Sequence, residues 1–202
     1  MVHHTYAQDL SQLKLGVPFT QNKWIQYQEK STLAQVHDQT PLSIDDLNNR
    51  PDKLIAALKR NPSRLNVDQM VPEIAIEISR VLLVGGEIQT SLKLLNDARK
   101  KWPDNESILQ RWAQVMMNLG TTSYAIKPLE ALLKKNPSSS YNRYLYALCI
   151  LLEAPKQADR IQMSIDQLEL LLKTDPTYVG LDGLSATQIR QLIDNLKTSL
   201  TR

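Results

Sequence analysis

The chain has 202 residues, 42% of them apolar and 5% aromatic, with six glycines and a formal charge of +3. That apolar content supports a packed core, and so few glycines suit helices better than a turn-rich β fold. Acids and bases are interspersed, without the one-sided basic cluster of a nucleic-acid binder. The single cysteine, Cys149, excludes an intrachain disulfide and a cysteine-based metal site.

No run approaches the roughly 18 apolar residues that span a bilayer. The N-terminus shows no basic stretch followed by an apolar one, so the expectation is a cytoplasmic protein. An exported or periplasmic mature chain that lacks its leader or anchor stays open as the alternative. In that case Met1-Val2-His3-His4 would be an added remnant.

Residues 1–42 read as an irregular arm. Leu10 and Leu13 suggest a short helix ended by Gly16-Val17-Pro18, and Asn22 to His37 is only loosely periodic. Trp24 and Tyr27 are its candidate contact residues. The arm either packs along the rest of the chain as a cap or becomes ordered on a partner. From Ser43 the signal improves. Ser43 is an N-cap with Asp45 and Asp46 behind it, and Pro51 opens a helix with Leu54, Ile55, Ala57 and Leu58. Arg60-Asn61-Pro62 stops that helix, giving a degenerate unit over 43–62.

Pro72 fits the first turn of a helix that runs to Val84, because its missing N–H costs nothing there. Ala75, Ile78, Ser79 and Leu82 form one helical stripe. Gly85-Gly86 ends it, and a helix over about 87–101 follows with Ile88, Leu92, Leu95 and Ala98. Further helices are predicted over about 106–119, 123–135, 141–152 and 160–174. Lys100-Lys101 and Lys134-Lys135 end two of them, where cations favour the helix dipole. Pro103 and Pro137 are 137 − 103 = 34 residues apart, and Gly86 and Gly120 are 120 − 86 = 34 apart. A helix–turn–helix unit recurring at that period marks a stacked helical repeat. Units are expected at about 70–103, 104–137 and 138–176. The last closes at 176 − 137 = 39, and the excess falls in the turn Glu153 to Ala158. Ser185-Ala186-Thr187-Gln188 is a capping box that opens a final helix over 184–202, the cap of the array.

These positions resemble the tetratricopeptide repeat. The central unit carries the resemblance through Leu109, Trp112, Ala113, Met116, Gly120, Ala125, Leu129, Leu132 and Pro137. The unit before it matches through Ala75, Ile78, Ser79, Leu82, Gly86, Ser91, Leu95, Ala98 and Pro103. The unit after it matches through Tyr146, Ala147, Ile150, Ser164, Leu168, Leu171 and Pro176, and departs at Arg143 and in its longer turn. Together they cover about residues 70–178. The resemblance implies an all-α, right-handed solenoid whose concave groove, lined by the first helix of each unit, binds a peptide or another protein.

In that register the groove residues are Glu73, Ile76, Arg80 and Leu83, then Ser107, Gln110, Gln114 and Met117, then Tyr141, Tyr144, Leu148 and Leu151. Amides can pair with a peptide backbone, and tyrosines give large contact area at low entropy cost. An alternative of equal weight has Tyr141, Tyr144 and Leu148 covered by the chain's own arm or C-terminal helix. The chaperone-type carboxylate clamp of one family subtype is not matched, since only Arg80 has a suitable charge. A weakly charged partner segment is therefore expected.

Catalysis, cofactors and metals find no support. His3, His4 and His37 lack metal-ligand spacing. No G-x-S-x-G, P-loop or G-x-G-x-x-G occurs. The sequence thus predicts a non-enzymatic adaptor or scaffold with a protein partner and no small-molecule substrate. A permanent structural subunit docked through the Trp24/Tyr27 arm is the alternative, a nucleic-acid-binding helical repeat comes third, and self-association is left open.

Overall fold

The computed structural model describes residues 55, 56, 58, 65–180 and 183–201. The arm with Trp24 and Tyr27, and most of the 43–62 unit, lie outside the described residues. The fold is all-α. A short 3-10 helix, Val67–Gln69, is followed by α1 (Pro72–Val84), α2 (Ile88–Lys101), α3 (Glu106–Asn118), α4 (Ser123–Lys135), α5 (Ser140–Glu153), α6 (Ala158–Thr174) and α7 (Ala186–Leu200). The chain divides into two compact units between Leu119 and Gly120.

In the first unit α2 packs on α1, and α3 packs on both. Pro72 stands in the first turn of α1, as its fixed φ allows. The helix ends in a Schellman motif. Glu87 N–H bonds to the Leu82 carbonyl at 2.7 Å and Gly86 N–H to that of Leu83 at 3.1 Å. This closure needs a left-handed residue, and Gly86 supplies it at φ 78°. Leu58, Ile78, Val81, Leu82 and Leu94 form the core, with Ile55, Leu65, Val67, Met70 and Ile74 packed against them. Lys101, at the end of α2, donates to the Val67 carbonyl at 2.6 Å and so ties the 3-10 helix down. Asn105 caps α3 by accepting the Ile108 N–H at 2.9 Å.

In the second unit α5 lies against both α4 and α6, and α7 packs on α6. Pro128 sits inside α4 and has no N–H to give the preceding turn, a feature the apolar periodicity did not reveal. The long turn after α5 contains no glycine. Gln157 N–H closes it on the Ala154 carbonyl at 3.1 Å. Arg143, the departure from the repeat pattern, bridges elements: it donates to the Pro137 carbonyl at 2.6 Å and to Gln167 Oε1 on α6 at 2.8 Å. After α6 an antiparallel bridge joins Val179 to Ser185. The expected capping box then opens α7, with Gln188 Oε1 accepting the Ser185 N–H at 2.8 Å. α7 buries Ala186, Ile189, Ile193 and Leu196 and leaves its other side polar.

Candidate functional site: the outward side of the first helices

The candidate groove residues separate by burial. On α1, Glu73, Ile76, Arg80 and Leu83 are half-buried; on α3, Ser107 is exposed and Gln110 half-buried. Gln114 and Met117 are nearly closed to solvent, at 5% and 6% exposure. On α5 only Tyr141 keeps part of its surface. Tyr144 and Leu148 are 0% exposed and Leu151 1%, so three residues expected to face a groove are core residues instead. The physical reason lies in the C-terminal segment and in the composition of α5. Tyr178, held by the bond from Ala186 N–H to its carbonyl, puts its ring 5.9 Å from that of Tyr144. The Tyr141 ring stacks on that of Tyr144 at 6.3 Å. Eight of the fourteen residues of α5 are buried, and apolar side chains occur all round it. Periodicity cannot pick an open face on such a helix.

The face that keeps usable surface belongs to the first unit, on α1 and α3. Ile76 and Gln110 occupy equivalent positions, 110 − 76 = 34 apart, as do Arg80 and Gln114, 114 − 80 = 34 apart. Gln110 donates to Glu106 Oε1 at 3.1 Å. Arg80 is held as well, its Nε donating to Glu77 Oε1 at 2.5 Å within an i,i+3 ion pair.

Glu77 was not among the expected site residues. Its side chain is 2% exposed, and its second carboxylate oxygen, Oε2, is buried without a hydrogen-bond partner. In sequence it resembles an ordinary helix-surface acid, and its only signal is the i,i+3 spacing to Arg80. The face thus combines an apolar patch at Ile76, an amide at Gln110 and a carboxylate–guanidinium pair. Such a surface can hold an extended segment by main-chain and side-chain hydrogen bonds.

Cys149 lies in the core, where burial first and Glu153 second push its thiol up to about 12. It is an inert structural thiol, as its apolar surroundings in sequence suggested. Among the described residues, no group of three or more His, Cys, Asp or Glu side chains is placed to hold a metal ion. No helix among them is long and apolar enough to cross a membrane.

Helices packed in sequence within each unit, with left-handed glycines at Gly86 and Gly120 and a buried serine in the α1/α2 and α5/α6 seams, define a helical-repeat fold of the tetratricopeptide type. The solved structures agree. The chain is similar to MamA, a tetratricopeptide-repeat protein, in a form described as the RS-1 ArsTM double mutant. The TM-score is 0.51 at 17% identity, over 74% of this chain and 86% of that one. A MamA structure from Desulfovibrio magneticus RS-1, residue 41 to the end, gives 0.51 and 17% over 75% of this chain and 88% of that one. At that identity the likeness is one of fold. No family model matches the sequence, and no curated protein is significantly similar to it.

Proposed function

We propose that the protein is a non-enzymatic adaptor or scaffold that holds a segment of another protein on the α1–α3 face of its first unit, within the assembly or maintenance of a larger complex. The observation that carries this reading is the half-buried, chemically mixed face of Glu73, Ile76, Arg80 and Gln110 on a tetratricopeptide-type fold. A folded core has no need to leave such a face partly open, whereas recognition of an extended segment does. Among the α5 candidates of the second unit, only Tyr141 keeps part of its surface. Tyr144, Leu148 and Leu151 stabilise the fold and contribute no contact area in the present structure. Repeat proteins of this kind bind through such surfaces built from successive units.

The test is affinity capture from the native source, comparing the full chain with an Arg80→Ala, Gln110→Ala variant and with a chain lacking residues 1–42. A partner lost only with the face variant supports the reading. A partner kept by that variant but lost with the deletion overturns it, and makes the protein a subunit docked through the Trp24/Tyr27 arm.

A further inference from the structure

Glu77 is the one buried carboxylate on the α1–α3 face, and its two oxygens differ. Oε1 receives both Nε and a terminal nitrogen of Arg80, while Oε2 is buried without a partner. A buried acceptor left unsatisfied carries a desolvation cost, and a native structure that keeps one calls for an explanation. No neighbouring turn removes the cost. Glu73, one helical turn earlier, is a second acid and would repel rather than satisfy Oε2. Arg80 keeps 20% of its side chain exposed, so the pair borders the surface of the face.

We infer that Glu77 selects the partner of this face, and that the partner places a lysine or arginine side chain over α1, its cation donating to Oε2. A carboxylate accepts from two donors at once, and hydrogen bonds from a cation are roughly twice as strong as neutral ones. The partner therefore completes a half-satisfied group, whereas an uncharged side chain at the same place leaves it unsatisfied. Two acids and one arginine, Glu73, Glu77 and Arg80, also leave α1 itself with a net negative charge. This inference rests on the reading of the α1–α3 face as the partner site.

The test pans a phage-displayed library of random dodecapeptides on the full chain and on Glu77→Gln. Wild type is expected to select sequences that share one lysine or arginine, and the variant to select sequences that do not. In a peptide selected on wild type, lysine→norleucine should weaken binding about tenfold, equivalent to ~1.4 kcal/mol. The same change should leave binding to Glu77→Gln unaltered. Arg80→Ala provides the second variant and covers the case in which Glu77→Gln melts early. It strips the carboxylate of its present partner and so should deepen the norleucine penalty. Selected peptides without a shared basic residue, or a penalty equal on all three chains, overturn the inference. Peptides sensitive to Gln110→Ala but not to Glu77→Gln overturn it and leave the partner face standing. Peptides insensitive to both overturn the face as well.

Discussion

Ser164 Oγ donates to the carbonyl of Ala147 at 3.0 Å, across the seam between α6 and α5. Ser91 Oγ donates to the Ser79 carbonyl at 3.1 Å between α2 and α1 in the same way. Both serines and both acceptor residues are fully buried, and the matching alanines, Ala113 and Ala125, are at 1% and 0% exposure. A small residue at Ser91 and at Ser164 lets the two helices of its own pair touch backbone to side chain. The repeat is therefore written in the seam as well as in the apolar stripe.

Replacing Ser164 separates the hydroxyl from the space it fills. Ser164→Ala should cost about 1 kcal/mol, the net worth of one such bond. Ser164→Leu should cost more, about 1–3 kcal/mol, because the seam has no room for the added carbons. Urea unfolding of the two variants beside wild type gives both values, and a Leu variant as stable as the Ala variant would contradict the packing account.

Two glycines end helices for different reasons. Gly120 has φ 68°, a left-handed conformation, so Gly120→Ala should lose about 1–2 kcal/mol. Gly85 is strained in neither direction, but a Cβ there would meet the side chain of Ile55. Gly85→Ala should therefore lose stability that Ile55→Ala removes, a coupling of about 0.5 kcal/mol or more in a double-mutant cycle. Additive thermal unfolding data for that pair would show that the contact does not limit the turn.

Cys149 makes a pH prediction with a definite sign. Its thiol is raised from 9.0 to about 12 in the fold. The folded state holds the proton more tightly, so this stability is fully present below pH 9 and is lost as pH rises toward 12. The urea midpoint of wild type should fall faster than that of Cys149→Ala across this window. At neutral pH, a thiol reagent should label wild type only at the rate at which the second unit opens.

Trp112 reports on the first unit. Its Nε1 donates to Asn96 Oδ1 at 2.9 Å and Arg99 lies over its ring at 3.7 Å. Arg99 is partly desolvated there, which lowers its pKa, so the contact is sheltered from water. Arg99→Ala should cost about 0.5–2 kcal/mol and change the Trp112 emission, while Asn96→Ala should cost about 1 kcal/mol. Emission spectra and unfolding midpoints check both.

The elements most legible in the sequence are those fixed locally. Gly86 and Gly120 at a 34-residue interval, Pro72 at a first turn, and Ser185 with Gln188 each specify their conformation within a few residues. The structure shows each of them in that conformation, or in the expected place. The site was less legible because facing is a tertiary property. Tyr144 and Leu148 share a helical face with Tyr141, yet only packing at Tyr178 and around α5 decides that they are interior. Glu77 failed in the opposite direction. An acid in a helix reads as solvated surface, and its burial beside Arg80 depends on neighbours that the sequence pattern does not name. Arg143 looked like a broken repeat position and proves to be a bridge from Pro137 to Gln167.

Hydrogen exchange of the full chain, alone and with the captured partner, tests the central claim most directly. The account predicts that the partner slows exchange within α1 and α3 of the first unit, and that Arg80→Ala with Gln110→Ala abolishes this protection. Protection confined to residues 1–42, with α1 and α3 unchanged, would contradict it.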